Sequence, residues 1–273
     1  MKHLIKISAL LILLSLTGGL AAQQWVKPKP IMTNNILRSF LEIHLEYPIE
    51  SRQNKEEGTV MVGYSLDEKG NIEERHILES VSSLVDSSAL RLFDLILWQA
   101  AEKYGKAVKY SASKNTGFPI KFNIRKYNKL VKKRGYDHLP QPFSPIDPSN
   151  KVYTKTQLDK LPTVILDSSF ATLNDYIYSQ ITYPEEAVKY NVTGIVRLSV
   201  VIETSGLLSN LIVKETVGGG CTEETIHIIK DLKWIPGIKD GMAVRTQCEL
   251  SVKFENPAHL KNKHIPNQQN SGI

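Results

Sequence analysis

The chain has 273 residues, 41 % hydrophobic and 23 % charged, an ordinary globular composition with room for one or two domains. Its formal charge of +6 is too small to imply nucleic acid, because a chain that grips DNA by charge concentrates Lys and Arg on one folded face. Two cysteines are too few for a disulfide scaffold.

The N-terminus is the first informative segment. Met1-Lys2-His3 and Lys6 precede a short apolar run, Ile7 to Leu16, followed by Thr17-Gly18-Gly19-Leu20-Ala21-Ala22. A basic start, an apolar centre and small residues at the end describe a cleavable signal peptide over residues 1–22, with a mature start near Gln23. No cysteine is present there to take a lipid. The alternative is a retained inner-membrane anchor, since Leu4 to Ala22 approaches the roughly 20 residues of a bilayer span. An exported, periplasmic protein is the expectation.

After the leader the sequence repeats itself. Tyr47-Pro48 and Tyr183-Pro184 stand 136 positions apart (47 to 183). The same offset relates Gly58 to Gly194, Val60 to Val196, Gly70 to Gly206, Trp98 to Trp234 and Gly105 to Gly241, with no gap from Leu37/Leu173 to Val108/Val244. Each copy opens with an amphipathic helical segment (Leu37, Phe40, Leu41, Leu45; then Leu173, Tyr176, Ile177, Ile181) that ends at the Tyr-Pro. Val60, Val62, Tyr64, Leu66 and Val196, Leu198, Val200, Ile202 then alternate as a half-buried strand, with Arg197 and Ser199 toward water. Gly70 and Gly206 supply the positive φ of a hairpin turn, and a second strand centres on Ile77 or Val213. Asp86 and Thr222 stand as N-caps of helices running to Trp98 and Trp234. Gly218-Gly219-Gly220 lacks the Lys-Ser/Thr of a phosphate loop and reads as a flexible turn. A third strand closes each copy, through Ile120 and Phe122 or from Val244 to Phe254.

The order helix, strand, hairpin, strand, helix, strand predicts an α+β fold, two copies of a small antiparallel three-stranded sheet packed on helix. The expected layout is a degenerate first domain over 31–125, a basic and Pro-rich linker over 126–158, a second domain over 159–255, and a disordered tail over 256–273. The basic run Arg125, Lys126, Lys129, Lys132, Lys133, Arg134 reads as solvated linker; the alternative is docking to an anionic surface such as a membrane or cell wall. Cys221 and Cys248 are left as a candidate disulfide, which an oxidising compartment permits.

No chemistry-bearing constellation emerges. The seven histidines are scattered without the close spacing of a zinc site, and no nucleophile elbow presents a serine. A non-enzymatic protein without metal or cofactor is expected.

The second copy resembles the TonB C-terminal domain family. The resemblance rests on Tyr183-Pro184-Glu185-Glu186-Ala187, Gly194, Gly206, Gly219-Gly220-Cys221-Thr222-Glu223-Glu224 and Trp234-Ile235-Pro236-Gly237 with Gly241, preceded by Leu161-Pro162. The first copy is weaker, with Gln99-Ala100-Ala101 after Trp98 in place of Pro-Gly. The resemblance implies a periplasmic domain, linked to TonB-dependent transmembrane transport, that meets outer-membrane receptor peptides by adding them as a strand to a sheet edge. By that analogy the partner-binding residues are Tyr183, Pro184, Arg245, Gln247, Glu249, Ser251 and Lys253. Core packing and turn definition are the competing role for Tyr183 and Pro184. A full energy transducer needs a retained membrane helix and a long Pro-rich arm. Here only Trp25-Val26-Lys27-Pro28-Lys29-Pro30 precedes the first domain, about 20 Å at ~3.3 Å per residue. The expectation is an accessory binding protein, with self-association through sheet edges as a further route, and a cell-envelope or peptidoglycan scaffold as the alternative function.

Overall fold

The computed structural model describes residues 25–255. The leader and the tail from 256 onward, and the expectations for them, lie outside the described residues.

In the first copy, β1 (Trp25–Val26) and β2 (Lys29–Pro30) lead to α1 (Asn34–His44) and a short α2 (Ile49–Gln53). The hairpin β3 (Gly58–Leu66) and β4 (Ile72–Glu79) precedes α3 (Ser83–Asp94). Four short strands come next, β5 (Trp98–Gln99), β6 (Ala101–Lys103), β7 (Lys106–Val108) and β8 (Tyr110–Ser111), and then β9 (Phe118–Phe122). Helix α4 (Ile124–Arg134) completes this half. The second half begins with β10 (Val152–Thr154) and β11 (Thr163–Ile165), then α5 (Leu173–Gln180) and α6 (Glu185–Lys189). The hairpin β12 (Gly194–Ile202) and β13 (Leu208–Glu215), helix α7 (Cys221–Ile229), β14 (Lys233–Ile235), β15 (Gly237–Lys239) and the long β16 (Met242–Phe254) complete it.

The fold is α+β and the two copies share it. β3 lies between β4 and the β8/β9 pair, all antiparallel; β12 likewise lies between β13 and β16. Val60, Val62, Tyr64 and Leu66, and Val196, Leu198, Val200 and Ile202, are buried on the helix-covered face, as alternation requires. The equivalence reaches single hydrogen bonds. Tyr47 donates its hydroxyl to the Glu56 carbonyl and Tyr183 to the Val192 carbonyl, the same bond 136 positions on. The Val81 N–H donates to the Asp86 carboxylate, and the Val217 N–H to the Thr222 hydroxyl. Gly70 (φ +84°) and Gly206 (φ +77°) turn the hairpins against the carbonyls of Trp98 and Trp234, which leave no room for a Cβ.

Three local expectations are corrected. Helices α3 and α7 stop at Asp94 and Ile229, short of the tryptophans. Trp98 and Trp234 lie instead in short strands, each paired with a lead-in strand at Pro30 or Val164. The N-caps are Ser82 and Gly220, while Asp86, one turn into α3, and Thr222, the second residue of α7, tie the preceding loop to the helix. Ser199 does not face water, because Gln247 lies over it and donates to its hydroxyl. Arg197 does face water and pairs with Glu215 across the strands.

The basic run is a helix, and irregular chain begins only beyond it. Asn123 caps α4 by accepting from Lys126 N–H, Gly135 ends it in the left-handed region, and Tyr127 is buried against Tyr47. Arg134 turns inward and donates to the carbonyls of Glu42, Ile43 and Leu45 at the C-terminus of α1. A charge run therefore reads as linker in sequence, yet its inner stripe of Tyr127, Leu130 and Val131 packs on the first core.

The halves meet through α1, α3 and β13. Ile36 packs against both cores. Asn210, in the left-handed region where the β12–β13 register shifts, sends its side chain to the Leu95 carbonyl (2.7 Å) and the Leu97 N–H (2.9 Å). The buried His44 ring meets the Leu208 carbonyl at 2.8 Å.

Candidate functional site

The site expected from sequence is the outer edge of the last strand of the second copy. β12 supplies its inner neighbour, pairing continuously from Gly194↔Phe254 to Ile202↔Thr246. The opposite side of β16 is divided in two. Over Arg245–Gln247 it is already occupied by β10, which pairs in parallel as Val152↔Arg245, Tyr153↔Thr246 and Thr154↔Gln247. Just before it, Ala243 exchanges hydrogen bonds with the Pro145 carbonyl and the Asp147 N–H. The segment between the two copies thus adds itself as a strand to the second sheet. From Cys248 to Phe254 no strand pairs on that side among the described residues.

The seven candidate residues fall into three groups. Glu249, Ser251 and Lys253 are exposed and alternate with the buried Cys248, Leu250 and Val252, so they line the outer face of the open half. Gln247 is also exposed and sits where β10 ends, bonded to Ser199. Arg245 is elsewhere in character. It is buried, ion-paired with Glu203, and donates to the carbonyls of Leu95 and Asn150. Its guanidinium holds the two halves and the linker together. Tyr183 is half-buried, with its ring edge-on to Phe254 and its hydroxyl held by Val192, and Pro184 lies against Gly220. Both shape the turn beside the end of β16.

Two features escaped the sequence reading. One is β10, whose Val152-Tyr153-Thr154 is a β-branched and aromatic run directly after the prolines and so carried a strand signal. The other is Tyr178, which leaves the buried stripe of α5 and is exposed. Lys253 has its pKa raised first by Glu255, its ion-pair partner at 2.5 Å, and least by the Tyr178 phenol.

Cys221 and Cys248 are not joined. Both thiols are free and buried in the second core, and burial pushes both pKa values up. No group of three or more His, Cys, Asp or Glu able to hold a metal occurs among the described residues, and no helix there is long and apolar enough to cross a membrane.

The first copy offers a poorer edge. Gly58↔Phe122 and Gly194↔Phe254 are equivalent pairs, so the first copy carries four extra residues (122 − 58 against 254 − 194). They fall between β8 and β9, where the third strand leaves the sheet over residues 113–117 after a last bond from the Ala112 N–H to the Tyr64 carbonyl. A continuous edge strand exists only in the second copy.

Comparison with curated proteins and with solved structures returned no match. The family model of the Gram-negative bacterial TonB protein C-terminal matches residues 43–124 and 179–255, one segment in each copy and together more than half of the chain. Two matched segments, one fold in each and the same side-chain bonds at a constant offset lead to one conclusion: this chain belongs to the TonB C-terminal family and carries its protein-interaction domain twice.

Proposed function

We propose that the protein is a periplasmic accessory module that engages an extended segment of an outer-membrane receptor by strand addition to the open half of β16, Cys248 to Phe254. Unpaired N–H and C=O groups along an edge recruit a further strand with modest demands on its sequence. One observation carries the reading: the same edge already accepts a strand, Val152–Thr154, and among the described residues no strand pairs with it just beyond. Glu249, Ser251 and Lys253 are the side chains an incoming strand would lie beside. Tyr183 and Pro184 act indirectly by holding the end of β16 in place.

The test uses peptides from the N-terminal plug segments of outer-membrane receptors, titrated against the full chain. Strand addition predicts saturable binding that is lost on N-methylation at alternate peptide positions, because only every second N–H faces the edge. Failure of every such peptide to bind, or indifference to methylation, overturns the reading.

A further inference from the structure

The first copy has an interrupted third strand, yet it carries a surface of its own. Helix α4 places Arg125, Lys126, Lys129, Lys132 and Lys133 at spacings of three, four, seven and eight, which gathers them on about one third of its circumference. All five are exposed. Lys133 reaches Glu42 at 3.4 Å; the other four make no ion pair among the described residues. Two flanks extend the field. Arg38 and Lys121 line, with Lys126, Lys129 and Lys133, a groove of about 400 Å³ between α1 and α4. Lys55 borders the N-terminal end beside Arg125. The only carboxylates at these two hollows are Glu42 and Glu57, and Glu57 is engaged with the Ile124 N–H at the start of α4.

Shape selects among anionic partners. The helix is about 16 Å long at ~1.5 Å per residue and lies against the domain, and the hollows beside it are open, so its charges are presented outward together. A nucleic acid strand would want exposed aromatic rings between the cations, and the one aromatic of α4, Tyr127, is buried. A threaded glycan or acidic peptide would want a cleft that encloses it. A sheet of anionic headgroups is itself flat and asks only for clustered cations. Because the apolar stripe of α4 is spent on the core, docking would be electrostatic and without insertion.

From this we infer that the α4 face of the first copy docks on a bilayer surface carrying anionic phospholipid. The first copy then anchors the molecule, while the edge of the second remains open to its partner.

The test is sedimentation of the full chain with vesicles of phosphatidylcholine alone and with vesicles in which part of it is replaced by phosphatidylglycerol. The readout is the excess on anionic vesicles, because insertion of the apolar N-terminal segment would register on both. The wild type should show an excess that fades as salt is raised. Arg125→Gln/Lys126→Gln/Lys129→Gln/Lys132→Gln should weaken it about ten-fold or more, whereas Lys69→Gln/Lys103→Gln/Lys106→Gln/Lys189→Gln, of equal charge change, should keep most of it. An environment-sensitive fluorophore on Asn128→Cys should respond to anionic vesicles, and the same label on Asn115→Cys should not. No excess for the wild type, equal loss in both quadruple variants, or capture by peptidoglycan sacculi without capture by vesicles would overturn the inference.

Discussion

Arg245 and Glu203 form a doubly hydrogen-bonded ion pair almost wholly out of water, with Nε and Nη2 at 2.8 and 2.9 Å from the two carboxylate oxygens and side chains 6 % and 3 % exposed. The remaining donors of Arg245 serve carbonyls of the first copy and the linker. Removing one member strands the other in the interior, which costs about 3–5 kcal/mol. Arg245→Ala should therefore shift the urea midpoint strongly. Lys109 holds the same place in the first copy but pairs with Glu73 in solvent, so Lys109→Ala should leave the midpoint nearly unchanged. Equal effects at 109 and 245 would show that the interdomain contact does not form in solution.

The paired tyrosine bonds make a second test. Tyr47→Phe and Tyr183→Phe each leave one carbonyl without its donor, at about 1–2 kcal/mol. The two bonds lie in separate cores and share no partner, so the double variant should lose the sum within about 0.5 kcal/mol. Chemical denaturation followed by tryptophan fluorescence reads both halves, through Trp98 and Trp234.

His44 should make stability depend on pH. Burial holds its pKa below the ordinary value of 6.5, so the folded chain keeps the ring neutral while the unfolded chain takes up a proton. The unfolded state binds more protons below about 6.5, and stability falls as pH drops through that window, by at most about 1.4 kcal/mol per pH unit. The carboxylates with lowered values, such as Asp137 and Asp147, act only below about 4. Melting temperatures measured from pH 7 to 5 should decline, and His44→Gln should flatten the slope.

Burial also governs the thiol chemistry. With both pKa values raised and both side chains inside the second core, Cys221 and Cys248 should resist a disulfide-exchange reagent at pH 8 in the native state. Both should react promptly in denaturant. A native chain with fewer than two titratable thiols after unfolding would indicate the disulfide that the folded cores do not contain.

β10 covers part of the edge on which the proposed function depends. Tyr153→Pro puts proline at the centre of this three-residue strand, where it disfavours the ladder, and should release the segment, exposing Arg245–Gln247 as well. Receptor plug peptides should then bind several-fold more tightly, as titration calorimetry would show. Unchanged affinity would confine docking to Cys248–Phe254.

The repeat, the alternating strands, the glycine turns and the Tyr-Pro punctuation were legible without coordinates, because each is written in neighbouring residues whose stereochemistry acts locally. The signals that bound α4 were equally present, in Asn123 and Gly135, but the dominant run of like charge masked a stripe containing only Tyr127, Leu130 and Val131. The exposed alternation of Glu249, Ser251 and Lys253 was readable too. What sequence could not decide is which distant backbone each strand meets. That Val152–Thr154 would cover the β16 edge at Arg245–Gln247, that Arg245 would turn inward to Glu203 and Leu95, and that Trp98 and Trp234 would close short ladders with lead-in strands all depend on partners far away in the chain. Periodicity states which face of an element is apolar; only closure of the two cores determines which polar groups are shut in and which stretch of edge is left for another chain.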